Sequence, residues 1–152
     1  MGTRARVFMR EDDLTSRFPA LREGAFRITS PTTKSYNCLA WAGGDDAQKW
    51  NPDPWGLFYW PDEAREDTLD GWIQAFGRLG YQPCADGELE GGYEKVVIYG
   101  SNRNPQHVAR QLPTGLWTSK LGDSEDIEHE IKGVVGEAYG EVLVYLRRDR
   151  PS

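Results

Sequence analysis

Apolar residues recur at helical spacing in one clear stretch, TLDGWIQAFGRLG at 68–80, through Leu69, Trp72 or Ile73, Phe76 and Leu79. Asp67 or Thr68 can open this helix and Gly80 can close it. A shorter apolar string, YNCLAWAGG at 36–44, predicts a second helix running into two glycines, with Ser35 as its N-cap. After Gly80 the pattern turns to strands. YQPC is short, and EKVVIYG at 94–100 is rich in β-branched residues. HVARQL at 107–112 alternates, and GLWTSKL at 115–121 can pair back to it through Pro113-Thr114-Gly115. GEVLVYLRR at 140–148 predicts a last strand. SEDIEHEIKGVVG at 124–136 begins with a serine and acidic residues, which predicts a helix. The N-terminal EDDLTSRFPALRE predicts a short helical piece, and TSPTTKS a loop. The order is helix, long loop, helix, then mainly antiparallel strands, an α+β layout with helices on one side of the sheet.

The long loop stands apart. Trp50, Trp55, Phe58, Tyr59 and Trp60 crowd around Pro52, Pro54 and Pro61, and prolines at that density resist helix and strand. The stretch predicts an ordered, aromatic-anchored loop. Such a cluster commonly lids a core, and it can also wall a cleft for a peptide or sugar face.

With 152 residues the chain has the size of one domain, and no internal repeat divides it. It carries 24 acidic against 18 basic residues, a net charge of −6. That balance argues against nucleic acid or an anionic membrane as the main partner, because both need a basic footprint. Two cysteines, Cys38 and Cys84, make no disulfide framework. The N-terminus has no apolar stretch fit for a signal peptide or a membrane span. A reduced, cytoplasmic protein is expected, with signal-independent export left open.

Cys38 has two readings. Its neighbours CLAWA suit a buried packing residue. At the start of a helix, however, unpaired amides and the positive dipole end favour a thiolate nucleophile. The chain has two histidines, His107 and His129. His107 opens a strand, and the tight turn at 113–115 puts His107, Ala109 and Gln111 on one face with Trp117, Ser119 and Leu121. Ser119 is then diagonal to His107, and Asp123 lies just beyond the strand. Either can orient an imidazole beside a catalytic cysteine. Arg110 and Lys120 fall on the opposite faces. His129, between Glu128 and Glu130, reads as part of a charged helix face, and Cys84 reads as structural. Cys38, Cys84, His107 and His129 are all the soft metal ligands the chain has, and their spacing matches no zinc pattern.

A cysteine on a helix, followed much later by a histidine opening a strand, resembles the papain-like cysteine hydrolases of the NlpC/P60 and CHAP type. YNCLAWA looks like their cysteine helix, HVARQL like their histidine strand, and LWTSKL falls where their third residue stands. The phrases NCLAWA, EKVVIYG, HVARQL and WTSKLG also resemble an uncharacterised bacterial family of single-domain proteins, over about residues 36–147. The resemblance implies a single papain-like domain over residues 1–152. Its antiparallel sheet would carry helices on one side, with the cysteine at a helix N-terminus. It also implies that Asn37 and the Cys38 amide contribute to an oxyanion hole. Ser119 stands where those hydrolases usually carry Asp, Asn, Gln, Glu or His, which leaves Asp123 or Asp126 as other candidates for the orienting role.

The expected function is a cysteine-dependent hydrolase or acyl-transfer enzyme acting on an amide bond: peptide, isopeptide or glutamine side chain. Cys38 is the nucleophile, His107 the base, and Ser119 or Asp123 the orienting group, with no metal or cofactor. Trp55 and Trp60 are candidate substrate contacts, and the partner is a protein or peptide. Two alternatives are a non-catalytic binding module, such as an immunity or adaptor protein docking through the aromatic loop, and a toxin-type deamidase or transglutaminase.

Overall fold

The computed structural model describes residues 13–122 and 125–150. Among the described residues, the α-helices α1 (Cys38–Ala42) and α2 (Leu69–Arg78) accompany β1 (Phe26–Ser30), β2 (Gln82–Cys84), β3 (Tyr93–Ser101), β4 (Asn104–Gln111), β5 (Trp117–Lys120), β6 (Asp126–His129) and β7 (Glu141–Asp149). Residues 13–17 are helical, and Pro19–Glu23 form a 3-10 turn. The strands build one sheet in the order β1-β6-β5-β4-β3-β7-β2, every neighbouring pair antiparallel.

The sheet is covered on both faces. On one, α1 and α2 pack through Leu39, Ala40, Trp72 and Phe76 against Val96, Ile98, Val108 and Leu146. On the other, Leu14, Phe18 and Leu21 from the N-terminal segment pack with Val134 against Val97, Tyr99, Ala109, Trp117 and Ile127. Alternate residues of β3 therefore enter different cores, which explains its unbroken apolar run at Val96–Tyr99, all 0% exposed.

This arrangement overturns the expected papain-like α+β layout, an antiparallel sheet with helices packed on one side. The molecule is mainly a seven-stranded antiparallel sheet with few helices. Part of the difference lies at 124–136, where a helix was expected. Residues 126–129 instead form β6, hydrogen-bonded between β1 and β5. The acidic run there is a strand alternation: Asp126 and Glu128 take one face, while Ile127 and His129 take the other and are fully buried. β1 was not foreseen either, although Phe26-Arg27-Ile28-Thr29 alternates apolar and polar with the period of a strand.

The amphipathic helix forms as its spacing predicts. Thr68 caps α2 by accepting from the Gly71 amide, and Leu69, Trp72, Ala75 and Phe76 form the buried stripe. In the first helix the cap is Asn37 rather than Ser35: its Oδ1 accepts from the Ala40 amide. That cap makes Cys38 the first residue of a five-residue helix.

A small loop closes over the second core. Gly136 and Gly140 exchange two backbone hydrogen bonds of 3.0 and 2.7 Å, which position Tyr139 between them. Gly140 has φ of 77°, and a Cβ there would stand 2.2 Å from the Gly100 carbonyl oxygen. Gly140→Ala is therefore expected to lower the unfolding free energy by about 1–3 kcal/mol, measurable as a drop in urea midpoint with unchanged slope.

Candidate functional site

The alternation of β4 decides where its histidine goes. Val108 and Arg110 face α1, with the Arg110 guanidinium over the Trp41 ring, whereas His107 and Ala109 face the second core. β4 pairs with β5 only at Arg110↔Thr118 and Gln111↔Trp117. Toward His107 the two strands separate, and side-chain bonds take over.

His107 Nε2 lies 2.9 Å from Ser119 Oγ, and the same oxygen lies 2.7 Å from His129 Nε2. His129 Nδ1 is 2.7 Å from the Glu130 carbonyl oxygen. All three side chains belong to residues with 0% exposure. The Tyr139 ring lies parallel to the His107 ring at 4.0 Å and covers it. His107 Nδ1 is buried with no hydrogen-bond partner among the described residues. Burial pushes the His107 pKa well below the usual imidazole range, and the nearby His129 adds to that. Burial likewise lowers His129 to about 4, partly opposed by the Glu130 carbonyl.

Cys38 reaches the same strand from the α1 side. It packs against the core that holds Val108, the neighbour of His107, and the Val108, Leu39 and Cys38 amides favour its thiolate. Desolvation nevertheless pushes the thiol up to about 11, against the pull of these amides and of the Lys120 charge. A helix start was expected to favour the thiolate. One turn of helix supplies too small a dipole to offset removal of the thiolate from water. No hydrogen bond joins the Cys38 sulfur to His107 Nδ1: the thiol packs on the α1 side of β4, whereas the imidazole lies with Tyr99 and Tyr139 on the other.

The other expected site residues go to different places. Ser119 does meet His107. Asp123 lies outside the described residues. Asp126 is on the α1 face, accepting from Tyr36 Oη at 2.5 Å, and so does not orient His107. The Asn37 side chain serves α1 and the loop: its Oδ1 also accepts from the Trp50 amide, and its Nδ2 donates to the Trp50 carbonyl at 2.7 Å. It is committed to that framework rather than to an oxyanion. Trp60 is core, 5% exposed, while Trp55 is 82% exposed. Trp55 and Leu57 stand on a pinned loop: the Asp53 carboxylate accepts from the Leu57 and Phe58 amides, and Arg65 binds Asp53 Oδ1 and the Phe58 carbonyl. Cys84 is a free, half-buried thiol on β2.

The residue that the sequence reading misplaced is His129, taken for a charged helix face. The available signal was the alternation of DIEH: if Ile127 is inward on a strand, His129 is too. Among the described residues no group of three or more His, Cys, Asp or Glu side chains could hold a metal ion. No described helix is long and apolar enough to cross a membrane.

A family assignment follows from residues 27–147, which span the sheet from β1 into β7 and match a domain of unknown function, DUF7689. The chain belongs to that family. No curated protein and no solved structure matches it.

Two outcomes are expected. Imidazoles in the unfolded chain titrate near ~6.5, while His129 titrates at about 4 in the fold and His107 is also depressed. Between those limits the unfolded chain binds more protons. The stability due to neutral histidines is therefore complete above about 6.5 and is lost as pH falls toward 4. Urea midpoints measured from pH 7.5 to 4.5 should fall steadily, and the fall should be shallower in His129→Gln. Separately, Trp60→Ala should cost about 3–5 kcal/mol, while Trp55→Ala should stay within about 0.5 kcal/mol, by the same unfolding measurement.

Proposed function

We propose that this protein is a cysteine-dependent hydrolase or acyl-transfer enzyme acting on an amide bond of a peptide or protein, with Cys38 as nucleophile and His107 as base. One observation carries the reading: Cys38 packs against the core that holds Val108, the neighbour in β4 of a histidine whose Nδ1 is buried with no hydrogen-bond partner. A buried basic nitrogen without a donor costs free energy, and a thiol proton would satisfy it. Ser119 holds the far side of the ring through Nε2, the arrangement a catalytic imidazole needs from an orienting group.

The thiol is pushed up and the imidazole down, so no thiolate–imidazolium pair exists at rest. The proton then moves as the bond forms. The sulfur attacks the carbonyl carbon while its proton passes to His107 Nδ1. His107 returns that proton to the leaving amine, and water or an acceptor amine resolves the thioester. The Cys38 and Leu39 amides, which favour negative charge at the sulfur, are the donors this reading assigns to the developing oxyanion.

A second reading has its own support. Trp55 and Leu57, 82% and 77% exposed on a loop braced by Asp53 and Arg65, form an apolar knob suited to a protein partner. On that reading the domain is a binding module and Cys38 is a packed thiol.

Alkylation by iodoacetamide in a Cys84→Ala background separates the two. On the enzyme reading, Cys38 is modified and the rate rises with pH toward about 11, without a plateau at neutral pH. Cys38→Ala removes both the labelling and any turnover of amide substrates while the unfolding midpoint stays close to wild type. If the folded Cys84→Ala protein takes up no label, Cys38 is not the nucleophile and the binding module stands.

A further inference from the structure

The three-residue chain His107–Ser119–His129 has a direction, and the direction is set at its far end. His129 Nδ1 lies 2.7 Å from the Glu130 carbonyl oxygen, which can only accept, so Nδ1 carries a hydrogen. The buried ring is neutral near pH 7, since burial lowers it to about 4, so its Nε2 is bare. Ser119 Oγ, 2.7 Å from that nitrogen, must then donate its single hydrogen to it. With that hydrogen committed, Ser119 Oγ can only accept from His107 Nε2 at 2.9 Å. His107 therefore has its hydrogen on Nε2 and a free lone pair on Nδ1, the nitrogen without a partner.

We propose that His129 is a positioning residue: bonded to the Glu130 carbonyl and acting through Ser119, it fixes His107 as the Nε2–H tautomer and keeps Nδ1 open to accept a proton. A serine alone cannot impose this, because its hydroxyl donates or accepts equally well. Without an acceptor at position 129, Ser119 is free to donate to His107 Nε2. The ring hydrogen then moves to Nδ1, and the base is lost. The role of this lock in turnover rests on Cys38 and His107 being the reacting pair; the tautomer itself does not.

The test has a spectroscopic arm and a kinetic arm. Long-range proton–nitrogen spectra of the protein labelled with 15N-histidine at pH 7 report which ring nitrogen is protonated. With only two histidines, His129→Gln assigns both rings. The expected wild-type pattern is His107 protonated at Nε2 and His129 at Nδ1. His129→Gln places a carbonyl oxygen near the former Nε2, keeps Ser119 donating, and keeps the His107 pattern. His129→Phe moves the His107 hydrogen to Nδ1. The kinetic probe is p-nitrophenyl acetate: Cys38 sulfur bonds to the acetyl carbon, p-nitrophenolate leaves, and the thiol proton passes through His107 Nδ1 to solvent or the leaving group. The acylation rate should fall at least ~10-fold in His129→Phe and stay close to wild type in His129→Gln.

Protonation of wild-type His107 at Nδ1 would overturn the lock, and that reading needs no variant to fold. An unchanged His107 pattern and rate in folded His129→Phe would also overturn it. The expected tautomers with no acylation of Cys38 in wild type would support the lock and overturn Cys38 as the nucleophile.

Discussion

Burial of the central strands on both faces is the constraint on which the rest of this molecule depends. Over Val96–Tyr99 of β3 and His107–Ala109 of β4 no side chain faces solvent, so each successive one must satisfy one of two cores. Apolar residues do so by packing. A polar residue such as His107 must find a partner within reach or leave a buried nitrogen unsatisfied. The divergence of β4 from β5 beyond Arg110↔Thr118 gives that partner space, and Ser119 occupies it. The same divergence leaves the Val108 amide without a β5 partner, and this amide favours the Cys38 thiolate.

The polar groups at this seam thus come from both layers of the molecule. α1 supplies a thiol from one face, while β4, β5 and β6 supply an imidazole, a hydroxyl and a second imidazole on the other. Tyr139 closes over the outer imidazole, held there by the Gly136–Gly140 ring. Low local polarity governs the chemistry available. It favours the neutral forms of both thiol and imidazole, since each charged form would lose hydration that a few amides do not replace. On the proposed reading, such a site would start from neutral partners and develop charge only along the reaction coordinate, so the position of one ring hydrogen would matter more than the resting pKa of the sulfur.

Much of the framework was legible in the chain. The α2 stripe, the Thr68 cap, the VVIY strand, the hairpin around 113–115 and the last strand all follow from local periodicity and turn chemistry. The meeting of His107 with Ser119 was also legible, because a tight turn and a period of two fix which residues share a face. The opposite placement of Arg110 and Lys120 follows from the same rule, and both cations lie over aromatic rings of the α1 region. DIEH was harder. Four residues with an acidic start satisfy a helix N-terminus and a strand equally well, and only the open edges of β1 and β5 select the strand. Asn37 and Ser35 are both good caps by type; Trp50, thirteen residues on, selects Asn37 by bonding both ends of its amide.

The sequence by itself determined β2 to β5 and β7, the turn at 113–115, one strong helix, and the residue types that thiol chemistry would need, because each depends on near neighbours in the chain. Tertiary structure alone decided that the sheet has two cores, that 126–129 is a strand, and that His129 is buried at the end of a hydrogen-bond chain. It also decided that Trp60 is core while Trp55 is bare, and that the Cys38 thiol is held protonated. These are questions of which distant groups share a face and how much water remains between them, and local spacing does not encode either.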